Sequence, residues 1–71
     1  MTAREREIAA LIGLGKSNSE IARGLVLSKR TVEKHIANIF AKLGFTQRAQ
    51  IVRWAMAQEL TDNPSQAAKL S

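Results

Sequence analysis

Three side chains with hydrogen-bond donors are spaced four residues apart, at Arg30, Lys34 and Asn38. At about 100° per residue, this spacing lines one face of a helix, and Ala37 and Ala41 fall on the same face. In the major groove of DNA, Arg and Lys match the acceptor atoms of guanine, and Asn matches adenine. The small alanines let a helix axis come close to base edges. The segment therefore has the chemistry to read a duplex, provided that a helix presents this face outward.

The positive charge of the chain is concentrated around that segment. The formal net charge is +5, and residues 16–48 hold seven Lys or Arg against two Glu, whereas the remainder holds four basic and four acidic residues. A concentrated positive surface favours a polyanion such as the phosphates of DNA. One polar helix face is equally typical of any solvated helix. The extension of the charge to Lys16 and Arg23, on a second predicted helix, is what favours nucleic acid.

Composition argues against several other classes of protein. The 71 residues include no Cys and one His, which leaves no disulfide framework and no thiolate or histidine-rich metal site. Three aromatic residues are few for stacking single-stranded nucleic acid. The sequence has no apolar run of membrane-spanning length, no secretory pattern after Met1 and no Gly-rich phosphate loop. We therefore expect one cytoplasmic domain that is not an enzyme and needs no cofactor or metal.

Four helices account for most of the chain and predict an all-α fold. They are expected over about residues 3–14, 18–25, 29–43 and 47–60, and residues 61–71 are expected to form a flexible tail. The expected end signals are capping boxes at Thr2 with Glu5 and at Ser17 with Glu20, N-caps at Ser28 and Thr46, and a left-handed C-cap at Gly44.

Apolar residues at helical spacing predict the core. The predicted inward residues are Ile8, Leu11, Ile12, Ile21, Ala22, Leu25, Val32, Ile36, Ile39, Phe40, Leu43, Ile51, Val52 and Ala55. Trp54 is expected to pack at the edge of this core. Arg48 also points toward it, and because a lone half-buried guanidinium is costly, we expect Arg48 to pair with Glu5 or Glu7 of the first helix.

The fourth helix has a second apolar side, formed by Ala49, Met56 and Leu60 with Arg53 beside them. A small isolated domain needs only one buried stripe, so a second one predicts a partner. An exposed Met and Leu near a helix end are also ordinary in soluble proteins.

Two residues of the third helix have alternative interpretations. A carboxylate at Glu33 would be repelled by phosphates, and an intrahelical pair with Lys29 or Arg30 is favoured over acceptance from a cytosine amino group. His35 lies beside the core stripe, and a packed, neutral imidazole is favoured over a phosphate contact.

Several blocks of the sequence together resemble the LuxR-type (GerE-type) helix-turn-helix domain of bacterial transcription regulators. They are TAREREI at 2–8, GKSNSEIAR at 15–23, SKRTVEKH at 28–35, Asn38-Ile39, KLG at 42–44 and Arg48. The resemblance covers residues 2–60 and implies a compact four-helix domain in which the second and third helices form the helix-turn-helix. It implies dimerisation on DNA through the fourth helix, with RNA polymerase as a further candidate partner. The family usually attaches this domain to the end of a sensing, receiver or ATP-binding region, and whether one precedes Met1 is left open.

The resemblance also implies roles for individual positions, with the third helix, residues 29–43, in the major groove of double-stranded DNA. The base-reading positions are Arg30, Glu33, Lys34, Ala37 and Asn38. The phosphate-contacting positions are Lys16, Ser17, Asn18, Lys29, Thr31, His35 and Lys42. Family members often have basic residues where this chain has Ala37 and Glu33, which implies a different operator or weaker discrimination.

Two other functions fit parts of the pattern. The last region of bacterial sigma factors shares the capped helix-turn-helix but usually lacks a full helix after the glycine, which residues 46–60 supply. A helical adaptor that binds an acidic protein would also use a basic face, and it would not bind duplex DNA at moderate salt.

Overall fold

The computed structural model of the protein describes residues 1–58, which form four helices and no strand. They are α1 (Ala3–Gly13), α2 (Asn18–Leu25), α3 (Lys29–Leu43) and α4 (Arg48–Ala57). The predicted all-α fold is confirmed, and the bounds of α2 and α3 agree with the prediction to the residue. The predicted tail at 61–71 lies outside the described residues.

Hydroxyl and carboxylate side chains fix the starts of α1 and α2, as their sequences predict. Thr2 Oγ1 accepts from the backbone N–H of Glu5 at 3.1 Å, and Glu5 Oε1 accepts from that of Thr2 at 3.0 Å. Ser17 and Glu20 repeat this exchange at 3.1 and 2.8 Å. Ser28 Oγ caps α3 by accepting from the backbone N–H of Thr31 at 3.0 Å. Each bond satisfies an amide that the helix itself cannot pair.

The first three helices end in the same way. A backbone N–H reaches the carbonyl five residues earlier, from Lys16 to Leu11, from Leu27 to Ala22 and from Phe45 to Phe40. Each closure contains one residue with positive φ, namely Gly15 (87°), Val26 (57°) and Gly44 (69°). Gly44 is the predicted left-handed cap, since glycine adopts this conformation without steric cost.

The ends of α4 differ from the prediction. Thr46 was expected to cap it, but the N-cap residue is Gln47, and the Gln50 side-chain oxygen accepts from the backbone N–H groups of Thr46 and Gln47 at 2.6 and 2.7 Å. The side-chain amide of Gln50, inside the first turn, therefore caps the helix in place of the Thr46 hydroxyl. The helix ends at Ala57 rather than near residue 60, with Gln58 as its C-cap.

The core lies between α1, α3 and α4, and α2 packs on α3. Its fully or nearly buried apolar residues are Ile8, Ala9, Ile12, Ile21, Ala22, Val32, Ile36, Ile39, Ile51 and Ala55. The other predicted core residues and Trp54 are half-buried and pack around this cluster. The helical phases inferred from the sequence are thereby confirmed.

A buried carboxylate joins the start of α1 to the end of α3. Glu5 is only 3% exposed, and Lys42 Nζ donates to its Oε1 at 2.8 Å. This hydrogen bond, together with the backbone N–H of Thr2, holds the pKa of the Glu5 carboxyl below its ordinary value despite burial. The buried polar group is thus satisfied by partners from two helices.

None of the helices within residues 1–58 is long and apolar enough to cross a membrane.

Candidate nucleic-acid interface

The outer face of α3 is exposed along its length. Arg30, Lys34, Ala37 and Asn38 all lie at the surface, as does Glu33, while Val32, Ile36 and Ile39 on the opposite side are buried. Within residues 1–58, neither Arg30 nor Lys34 forms an ion pair. The donors predicted to read base edges are therefore brought together on one helix face and are not consumed by intramolecular contacts.

Glu33 does not form the predicted intrahelical pair. Among the described residues it has no ion pair with Lys29 or Arg30, and its side chain is exposed. The prediction is wrong because an exposed ion pair on a helix is worth only a few tenths of a kcal/mol, about the cost of ordering its side chains.

The start of α2 presents unpaired backbone donors beside basic residues. The capping box uses the N–H of Glu20, but within the described chain the N–H groups of Asn18 and Ser19 have no acceptor. Asn18 and Ser19 line the same cleft as Lys16 and Ser17. A shallow cleft of about 550 Å³ is lined by Gly15, Lys16, Ser17, Asn18, Ser19, Lys29, Glu33 and Arg48. Free N–H groups at a helix start attract anions.

Arg48 contacts the same place rather than α1. Its Nη1 donates to Asn18 Oδ1 at 2.7 Å, and its Nη2 donates to the carbonyl oxygen of Lys16 at 2.8 Å. The predicted pairing with Glu5 or Glu7 is wrong, because Glu5 is occupied by Lys42 and Glu7 pairs with Arg4 at 3.1 Å within its own helix. The guanidinium is still satisfied, as its half-buried position requires.

The flanks of α3 hold the other residues predicted to contact phosphate. Lys29 is exposed, and Thr31 is half-buried with its hydroxyl accepting from Ser28 Oγ at 2.8 Å. Lys42 is 46% exposed at its side chain, although its ammonium is bound to Glu5. His35 is half-buried, and its Nδ1 is buried with no hydrogen-bond partner among the described residues. The imidazole is therefore packed, as predicted.

Two contacts of this region were not expected from the sequence, the Arg48 bridge to α2 and the Lys42 bond to Glu5. Their partners are 30 and 37 residues apart. No local spacing signals such a contact. The sequence indicates only that Arg48 and Glu5, which lie on apolar helix faces, each need a partner.

Comparison with known proteins agrees with this geometry. The sequence profile of the family described as "GerE: Bacterial regulatory proteins, luxR family" matches residues 1–55. The chain belongs to the luxR family of bacterial regulatory proteins. The luxR-family match covers α1 to α3 and α4 as far as Ala55, and it identifies a DNA-binding helix-turn-helix domain formed by α2 and α3.

Three luxR-family relatives indicate the range of similarity. The chain is 46% identical over 55 residues to the CsgBAC operon transcriptional regulatory protein of Escherichia coli (strain K12), covering 78% of this chain and 26% of the relative. It is 45% identical over 56 residues to the transcriptional regulatory protein MctR of Rhizobium johnstonii, covering 79% and 26%. It is 39% identical over 61 residues to the response regulator Rre1 of Synechocystis, covering 86% and 26%. The chain thus spans about a quarter of the length of these relatives.

The exposed side of α4 is apolar in part. Ala49, Arg53 and Met56 are exposed, and Met56 is 56% exposed. Leu60, the fourth residue predicted to contribute to dimerisation, lies outside the described residues. The luxR-family match ends before Met56.

Proposed function

We propose that this luxR-family domain binds specific sequences of double-stranded DNA by inserting α3 into the major groove. The observation that carries the proposal is the outer face of α3, where Arg30, Lys34 and Asn38 are exposed and the two cations form no ion pair with any residue of 1–58. Ala37 and Ala41 leave room for close approach. A major groove admits one helix of this diameter and offers acceptors to these donors.

Phosphate contacts on either side of α3 would set the register of that helix. The start of α2, with Lys16, Ser17 and Asn18, and the exposed Lys29 would hold one strand. The Lys42 ammonium has two N–H donors besides the one that binds Glu5, but the Glu5 carboxylate offsets its charge. Thr31 and His35 would add further hydrogen bonds, the latter through Nε2 because Nδ1 is buried.

Membership of the family supports a proposal about the biological context. We propose that two copies pair through α4 on inverted half-sites, which places two α3 helices in successive major grooves. Such a regulator would act in the cytoplasm, on the nucleoid, and RNA polymerase is a further partner to test. Exposure of Met56 and Ala49 on one side of α4 supports the pairing.

Selection of bound duplexes from a random pool tests the sequence specificity. We expect an enriched sequence, with two-fold symmetry if the chain pairs on DNA. Binding to that duplex should weaken steeply with salt, because each phosphate that is neutralised releases counterions. Enrichment of no sequence would overturn specific recognition, and an affinity that salt does not change would overturn DNA binding as such. Binding of an acidic protein without any binding of duplex at moderate salt would favour the adaptor function.

A further inference from the structure

Arg48 makes the polar link between α4 and the start of α2. It is the first residue of α4, and its guanidinium donates to Asn18 Oδ1 and to the Lys16 carbonyl oxygen, on both sides of the capping residue Ser17. Both bonds are short, at 2.7 and 2.8 Å. A planar guanidinium that binds two acceptors fixes their relative position more tightly than a single contact does.

Few direct packing contacts join these two elements. Of the described helices, α4 packs mainly on α1, and α2 packs mainly on α3. The capping box at Ser17 fixes the local backbone of α2 but reaches no other helix. Beyond the shared core, the Arg48 bridge is the side-chain hydrogen-bonded link between the α2 start and α4 among the described residues.

The bridge also decides which way the Asn18 amide faces. A guanidinium has only donors, so the Asn18 oxygen must face Arg48, and the amide NH₂ faces away with both of its hydrogens unused by Arg48. Without Arg48 the amide could rotate by 180° and turn its oxygen toward an incoming anion. The bridge thus makes Asn18 a donor at the cleft that Lys16 and Lys29 also line.

We propose that Arg48 is a positioning residue for DNA binding: it holds the Lys16 carbonyl and the Asn18 amide so that the start of α2 presents donors to a phosphate. The inference rests on the proposed function. Because Arg48 belongs to α4, it also ties the helix proposed for pairing to the phosphate contact. Arg48 acts through Asn18 and the α2 backbone and does not itself read DNA.

Affinity and its salt dependence test this role in the full chain. We expect Arg48→Lys to weaken binding to the selected duplex by about tenfold although the charge is kept, because a lysine cannot hold both acceptors in the guanidinium geometry. The slope of affinity against salt should stay unchanged, since no phosphate contact of Arg48 is lost. Arg6→Ala, an exposed arginine on α1, is the matched control and should leave the affinity unchanged. Wild-type affinity for Arg48→Lys would overturn the inference.

A double-mutant cycle shows whether Arg48 acts through Asn18. We expect the double variant Arg48→Ala with Asn18→Ala to bind no more weakly than the weaker single variant, because each removes the same phosphate contact. Additive losses would overturn the inference, as would a salt slope that falls by about one in Arg48→Ala alone, which indicates a direct phosphate contact.

A spectroscopic signal separates positioning from mere stabilisation. In ¹⁵N-labelled protein, the side-chain NH₂ resonances of Asn18 should shift when duplex is added to the wild type and should not shift in Arg48→Lys. An unshifted Asn18 signal in the wild type bound to DNA would overturn the inference. This measurement on the wild type remains valid even if Arg48→Ala does not fold. Failure of the wild type to bind any duplex would instead overturn the proposed function.

Discussion

Val26 has an unusual backbone for its residue type. Its φ is 57° and its ψ is 47°, and the side chain is 89% exposed, so that no packing compensates for the conformation. A left-handed conformation costs a residue with a Cβ roughly 1–2 kcal/mol, and a β-branched one is a clear outlier. The two other helix closures of this kind use glycine. Gly24, two residues earlier, lies inside α2 and does not close it.

Relief of this strain should stabilise the domain. We expect Val26→Asn to raise the free energy of unfolding by about 1 kcal/mol, because asparagine tolerates the left-handed region and, unlike glycine, does not add much freedom to the unfolded chain. For a domain of this size the midpoint of thermal unfolding should rise by about 4–8 °C. Val26→Thr keeps the branched shape and is the control. Equal stabilisation by both variants would show that exposed hydrophobicity, not backbone strain, is responsible.

Lys34 lies at the centre of the exposed α3 face, so its loss should affect recognition more than general attraction. We expect Lys34→Ala to cost about 1–3 kcal/mol of binding free energy on the selected duplex and much less on random duplex. Fluorescence anisotropy titrations with both duplexes measure the difference. Equal losses on the two would assign Lys34 to a phosphate.

The hydroxyl–carboxylate capping pairs could be predicted, and the contacts between distant residues could not. The capping pairs Thr2 with Glu5 and Ser17 with Glu20 follow from a spacing of three residues. The partner of Arg48 depends on how four helices assemble. The exposure of Arg30, Lys34 and Asn38 was predictable because the buried stripe of the same helix fixes its rotation.

At the scale of elements, the two capping boxes make helix stability depend on ionised carboxylates. The pKa of Glu5 is lowered chiefly by Lys42, and the pKa of Glu20 is lowered chiefly by the Ser17 backbone N–H. A carboxyl with a lower pKa in the folded state contributes stability above its unfolded-state pKa, and this contribution is lost as pH falls through the folded-state pKa. Helices α1 and α2 should therefore weaken in acid.

Thermal unfolding against pH measures this effect. We expect the wild type to lose stability as pH falls through and below 4.5, the ordinary pKa of a glutamate, because the pKa values of both carboxyls are lower in the folded state. Glu5→Gln should be less stable at neutral pH and should show a smaller loss in acid. Glu7→Gln, at an exposed pair within α1, should follow the wild type because such pairs contribute little. Parallel curves of stability against pH for the wild type and Glu5→Gln would contradict the role of the Glu5–Lys42 ion pair.

The existence and order of the helices were predictable because their signals are local. Apolar spacing gives each buried face, and hydroxyl caps and glycines give most of the ends. The cap of α4 was not predicted because Gln50 supplies it from inside the helix. An amide side chain in the first turn is a weaker signal of a helix start than a hydroxyl at the N-cap.

At the scale of the whole molecule, the exposed side of α4 predicts pairing on DNA. We expect Met56→Glu to weaken binding to a duplex with two half-sites by roughly tenfold or more, and to leave binding to one half-site unchanged, because paired copies gain effective concentration from each other. The ratio of the two affinities is the measured quantity. Leu14→Glu, at a residue also 56% exposed but outside α4, should keep the wild-type ratio. An unchanged ratio in Met56→Glu would show that this side of α4 is not the contact.

Nearly all the bonds that define the helix ends of residues 1–58 join positions no more than five apart, and the Lys42 and Arg48 contacts span 37 and 30 positions. Helical domains dominated by such short-range contacts fold in about microseconds to milliseconds. The ribosome adds only about 5–20 residues per second. The domain should therefore reach its native state between one peptide bond and the next, as soon as α4 has left the exit tunnel.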